Sequence, residues 1–175
     1  MSINLSDKIK SNTAKLHESY NSLNEGQVRF KPADNCWSVL ECLEHIYLID
    51  KAVLAALTGI THENIPDNVR TELFGPEKLD KLLVKGRSFK VPAPDFVKPA
   101  GKFTNSADAA QHLDSITKRV IEYINSYPVE QDVRTYKHPI LGYMTPTDWV
   151  HFLVSHTERH IHQIEELKAN ALFPA

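Results

Sequence analysis

Ser155-His156-Thr157-Glu158-Arg159-His160-Ile161-His162-Gln163 sets two histidines four residues apart in a run that otherwise reads as helix. That spacing places His156 and His160 on one face, one turn apart. Outward from the pair, Trp149, Leu153, His156, His160, Ile164 and Leu167 fall along a single stripe, so the two imidazoles sit on the face that should enter a core. Upstream, Thr145-Pro146-Thr147-Asp148 has the form of a capping box, with proline where its missing amide matters least. The helix is therefore expected to open at Thr145 and to reach about Ala169. Two imidazoles on a core face are unfavourable unless each finds a partner, and one divalent transition metal satisfies both.

Three further helices complete the pattern. Leu5, Ile9, Leu16, Tyr20 and Leu23 recur near the helical period and predict a first helix from about Ser6 to Leu23, broken by Gly26 and Pro32. Ser38-Val39-Leu40-Glu41 is a second capping box and starts a helix running to about Thr58. Ala109, Leu113, Ile116, Val120 and Ile124 form the buried stripe of a third, capped by Ser106 or Thr104 and ending before Pro128. Between the second and third lies Gly59 to Lys102, with Pro66, Pro76, Pro92, Pro94 and Pro99. Phe74, Phe89, Phe96 and Phe103 give this region the apolar surface of an ordered crossover, with a short helix from Pro76 to Val84. No segment shows convincing strand alternation. The expected fold is all-α: a four-helix bundle with non-sequential neighbours and a long crossover between the second and third long helices, forming a single domain over residues 1–175.

Composition narrows the function. With 175 residues, 42% hydrophobic and 24% charged, the chain can bury a core of ordinary size. Its formal net charge of -2 and scattered basic residues disfavour nucleic acid and anionic membranes as partners. Cys36 and Cys42 form neither a CxxC pair nor a disulfide framework. The amino terminus does not read as a signal peptide, and no apolar run approaches the ~20 residues of a membrane span. A cytoplasmic protein with reduced thiols is expected.

The chain has nine histidines, which sort by helical position. His45 lies on the second long helix among Cys42, Ile49, Ala52 and Ala56, at spacings of three and four, and gains meaning if its helix faces the His156/His160 pair. His162 stands about 200° around the helix from His160 and cannot share an ion with it. His151 is rotated away from His156, and both outliers read as surface or packing residues. His17, His112 and His62 lack histidine partners and read as solvated. His138, in Lys137-His138-Pro139-Ile140-Leu141-Gly142-Tyr143, sits on a predicted loop over one bundle end, where it either binds substrate or serves the turn. Cys42, one turn before His45, reads as a small buried hydrophobe, with a soft ligand or a nucleophile as the alternatives.

Trp37-Ser38, Glu44-His45-Ile46, His138-Pro139, Leu141-Gly142, Trp149 and His156-Thr157-Glu158-Arg159-His160-Ile161-His162-Gln163-Ile164, taken together, resemble the DinB-like superfamily in its YfiT-like, DinB-2 branch. The resemblance spans nearly the whole chain. Its most specific parts are the tryptophan-serine helix start with a histidine seven residues beyond the serine, and the H-x-x-x-H-x-x-Q helix. It implies a four-helix bundle with a divalent metal, zinc or nickel, held by His45, His156 and His160. Many members carry a histidine directly after the last ligand; this chain has Ile161 there. The resemblance also implies a small-molecule substrate and a homodimer.

Three neutral histidines would leave an open coordination position. The expected function is a divalent-metal-dependent enzyme, foremost a thiol-dependent S-transferase of the bacillithiol, mycothiol or glutathione type, as the resemblance implies. The alternatives are a metal-dependent hydrolase and a non-catalytic, stress-related metal-binding bundle. Glu41 has a capping role, Glu44 and Glu158 read as solvated charges, and no side chain stands out as general acid or base.

Overall fold

The computed structural model describes residues 4–59, 74–85, 92–132 and 134–175. His62, Pro66 and Phe89 of the predicted crossover lie outside the described residues. Six α-helices are present among them: α1 (Leu5–Tyr20), α2 (Glu25–Arg29), α3 (Val39–Thr58), α4 (Pro76–Asp80), α5 (Ser106–Ser126) and α6 (Pro146–Lys168). One π-helical turn, Lys81–Lys85, continues α4, and a 3-10 turn spans Asp95–Val97. None of these helices is long and apolar enough to cross a membrane.

Local chemistry sets the helix ends. Ser38 and Glu41 form the expected capping box on α3: the hydroxyl accepts from the Glu41 amide at 3.2 Å and the carboxylate accepts from the Ser38 amide at 2.7 Å. At the other end the Gly59 amide donates to the Ala55 carbonyl at 2.7 Å, and a Cβ on Gly59 would stand 2.8 Å from that same oxygen. Thr145 and Asp148 close α6 in the same manner as Ser38 and Glu41, with Pro146 in the first turn.

Some expectations are corrected. α1 is capped by Asn4 and ends at Tyr20, short of Leu23. Asn24 and Gln27 form a capping box of their own and start the short α2, where only a break was expected. Asn105, rather than Thr104 or Ser106, caps α5 through the Asp108 amide. The segment before α6 is a hairpin rather than a loop: β1 (Tyr136–His138) pairs antiparallel with β2 (Gly142–Met144), with His138 opposite Gly142. Gly142 adopts φ +88°, a left-handed conformation that glycine takes without strain.

The four long helices form an all-α bundle in which α1 and α3 each pack against both α5 and α6. Chain-adjacent α1 and α3 are thus diagonal, and so are α5 and α6. α3 and α6, the carriers of His45 and of the His156/His160 pair, are neighbours.

The core divides along the bundle axis. One apolar cluster gathers around Val53, Leu57, Ile116, Val120 and Leu153, the other around Leu16, Leu43, Ile46, Leu113 and Ile164. Leu43 is fully buried, and Leu43→Ala should cost about 2–5 kcal/mol. Between the clusters runs a buried polar layer, with His45, His156 and His160 in one part and Asn12, Asp50 and Thr157 in another. Such a layer is unfavourable unless its groups find partners.

Candidate metal centre

α3 contributes His45 and α6 contributes His156 and His160, all three buried. The His156 Nε2 atom lies 3.2 Å from His45 Nε2 and 3.3 Å from His160 Nε2. The donor atoms of the three side chains all stand within 4.8 Å of one another. Nitrogens bound at the usual zinc distance around a tetrahedral ion stand about 3.3–3.4 Å apart, so both short spacings suit one ion between the rings.

Protonation sharpens this fit. His45 Nδ1 lies 2.7 Å from the Val97 carbonyl, which can only accept, so the proton of His45 is on Nδ1 and its Nε2 presents a lone pair. His160 Nδ1 lies 3.0 Å from the Gln163 side-chain oxygen and is fixed in the same tautomer. Neutral His156 carries one ring proton, which can serve at most one of its two Nε2 contacts. Its Nδ1 is buried without a hydrogen-bond partner among the described residues. A cation at the convergence point would accept all three Nε2 lone pairs at once, with the His156 proton then on Nδ1. Burial pushes the His45 pKa below its ordinary value, against the Val97 hydrogen bond. Burial also pushes His156 well below, with repulsion from His160, His45, Arg159 and His138 adding to it. Neutral rings are the form a metal requires.

A second layer orients these rings. Glu44, read from sequence as a solvated charge, is buried and accepts the amides of Ala100, Gly101 and Lys102 at 2.8, 3.0 and 3.0 Å. Gly101 at φ +80° allows the turn that aims these amides at one carboxylate. Glu44 thereby clamps onto α3 the segment that carries the Val97 carbonyl. Trp37 packs on His45 at 4.7 Å between ring centres and stacks on His160 at 6.1 Å. Phe152 stacks on His156 at 5.3 Å. The supporting roles of Glu44, Val97 and Gln163 were missed in the sequence; only the three-residue spacing from His160 to Gln163 offered a signal.

The remaining candidates fall elsewhere. Cys42 is fully buried in the apolar core and stands outside the cluster. His138, half-buried on β1, is also outside it. His162 is exposed, whereas His151 is buried at the bundle side of α6. His17 and His112 are not simply solvated. His17 bridges α1 to α5 through Asp114 at 2.7 Å and meets the Tyr20 hydroxyl at 2.7 Å. His112 donates to the Asp108 carbonyl at 2.9 Å and packs against Tyr47 and Phe103.

Comparison with known proteins agrees with this architecture. The chain is 28% identical over 160 residues to the uncharacterized protein YuaE of Bacillus subtilis (strain 168), covering 90% of this chain and 94% of that one. Among solved structures it superposes on YfiT from Bacillus subtilis with a TM-score of 0.58 at 15% identity, covering 94% of this chain and 84% of the other. YfiT is described as a probable metal-dependent hydrolase with an unusual four-helix bundle topology. The family model of the DinB superfamily matches residues 8–164, and the chain belongs to that superfamily.

Proposed function

We propose that His45, His156 and His160 hold one divalent transition metal, zinc or nickel, and that the protein is a metal-dependent hydrolase of a small molecule. The observation that carries this reading is the convergence of three Nε2 atoms at 3.2 and 3.3 Å, with two of the three rings fixed as Nδ1–H tautomers. The description of the structural neighbour YfiT as a probable metal-dependent hydrolase supports it. Three protein donors leave a position open, which distinguishes catalytic from structural zinc.

A bound ion supplies a Lewis acid that lowers the pKa of water to about 7 and polarises a carbonyl. The chain's own residues do the rest. Val97 and Gln163 fix the rings, Glu44 holds the Val97 segment, and Trp37 and Phe152 cover the rings with apolar surface that limits water.

One observation favours a second reading. Among the described residues the cluster contains no carboxylate, and the buried Glu44 beside His45 is engaged with three amides. A base is needed less by a thiol, because a metal holds it as thiolate near neutral pH. Thiol transfer to an electrophile, with bacillithiol, mycothiol or glutathione as cosubstrate, therefore stands as the alternative.

The test is an assay of metal-loaded protein against an ester and amide panel, beside monochlorobimane with a panel of thiols. Hydrolysis that disappears with a chelator and returns with metal is expected. Thiol-dependent conjugation without hydrolysis would transfer the assignment to the second reading, and neither activity would overturn both.

A further inference from the structure

Among the described residues His138 makes two hydrogen bonds, both through Nδ1: the amides of Ile140 and Leu141 donate to it at 3.1 and 3.0 Å. An atom that accepts from two amides carries no proton, so the neutral ring is the Nε2–H tautomer. Burial lowers the His138 pKa to about 4, consistent with a neutral ring. Nδ1 thus serves the turn, and Nε2–H is a donor with no partner among the described residues.

The position of this donor is specific. The His138 ring packs on Trp149 at 5.2 Å and on Phe152 at 5.1 Å, and Phe152 stacks on His156 at 5.3 Å. His138 is therefore one aromatic side chain removed from the histidine cluster, alongside the turn of α6 that precedes His156. Beside it, the indole Nε1–H of Trp149 is buried and lacks an acceptor among the described residues. The buried indole N–H is a donor that calls for an acceptor oxygen, and the half-buried imidazole N–H next to it is free to donate to the same group.

We propose that His138 is a substrate-binding residue whose Nε2–H takes a carbonyl or carboxylate oxygen of the substrate, several bonds from the group that meets the metal. This rests on the metal-centre reading above and narrows its substrate to acyl compounds with a second oxygen acceptor, such as monoesters or monoamides of dicarboxylic acids. Trp149 and Phe152, in contact with each other between His138 and His156, are the apolar side chains that such a carbon chain would have to pass.

The test uses cobalt(II)-loaded protein and two probes that differ only at the remote end, butyrohydroxamic acid and succinic monohydroxamic acid. Binding is read from the visible cobalt spectrum. The wild-type protein is expected to prefer the succinic probe by about tenfold or more, as for a hydrogen bond to a charged group. His138→Asn places an oxygen near the Nδ1 position, so it keeps an acceptor for the turn and removes only the remote donor. In this variant the cobalt spectrum before probe addition should match wild type, while the preference falls to about one. His138→Gln, with an amide nitrogen near the Nε2 position, should restore part of it. An unaltered preference in His138→Asn, or none in wild type, overturns the assignment while a normal cobalt spectrum leaves the metal centre standing. Absence of any cobalt spectrum overturns the metal centre and this proposal together.

Discussion

The Nδ1–H of His45 donates to the Val97 carbonyl across 2.7 Å, joining α3 to the last turn of the crossover. The next side chain toward the amino end of α3, Glu44, takes three amides from residues 100–102 of the same segment. Consecutive residues of α3 thus hold the crossover from two sides, one through a candidate ligand and one through a buried carboxylate. Glu44→Gln keeps one acceptor oxygen and turns an NH2 group toward amides that need an acceptor. Metal affinity, measured by competition with a chromogenic chelator, is expected to fall about 10- to 100-fold, as for other outer-layer changes. Unchanged affinity would mean that the clamp does not support the ring.

Gln163 fixes His160 through its side-chain oxygen at 3.0 Å. Gln163→Leu should weaken metal binding by roughly tenfold, whereas Gln163→Glu should strengthen it, because a carboxylate accepts from Nδ1–H more strongly and makes the ring a better donor. The opposite signs separate ring electronics from loss of packing. The same chelator competition reads both, and two losses of equal size would contradict the assignment.

Asp50 is buried, with one oxygen that lacks a hydrogen-bond partner among the described residues, and burial raises its pKa from 3.8 to about 8. It borders a cavity of about 20 Å³ with Asn12, Thr13, Thr117 and Thr157, room enough for one water. Below its unfolded pKa the carboxyl is protonated in both states and contributes no pH dependence. As pH rises from about 4 toward 8 the unfolded chain ionises while the folded one keeps its proton, so stability falls; above about 8 the slope ends. Asp50→Asn should abolish that slope and stabilise the fold at pH 7 by an amount on the order of a few kcal/mol. Denaturant melts of both proteins at pH 4, 6 and 8 check it, and parallel pH profiles would contradict it.

Metal removal should destabilise the protein, because only the folded chain brings α3 and α6 together. With free metal at about 100 to 1,000 times its dissociation constant, binding contributes about 2.7–4.1 kcal/mol. For a chain of this size that corresponds to a melting shift of roughly 5–15 °C. A thermal melt with and without EDTA reads the shift directly. Equal midpoints would indicate that no ion is held.

The parts of this fold legible in the sequence are those set by neighbouring residues. The boxes at Ser38–Glu41 and Thr145–Asp148 could be read because cap and partner lie three residues apart. Helix faces put His45 and the His156/His160 pair on inward stripes, but that their helices are neighbours came from the family resemblance and from the packing of α3 on α6. The cap of α5 was missed because Thr104, Asn105 and Ser106 are all competent, and only the backbone decides which one accepts the third amide. Strands of three residues carry too little alternation to announce the hairpin. Glu44 was misread because its partners are backbone amides 56 to 58 residues away, which no side-chain pattern records. His17 was misread for a similar reason, since Asp114 stands 97 residues along the chain.

The most direct test of the central claim is the metal content of purified protein, wild type beside His45→Ala and the His156→Ala/His160→Ala double variant, with folding checked by circular dichroism. About one divalent ion per wild-type chain is expected, with loss of stoichiometric metal from both folded variants. Full retention of metal by the folded double variant would contradict the assignment of the ion to these three histidines.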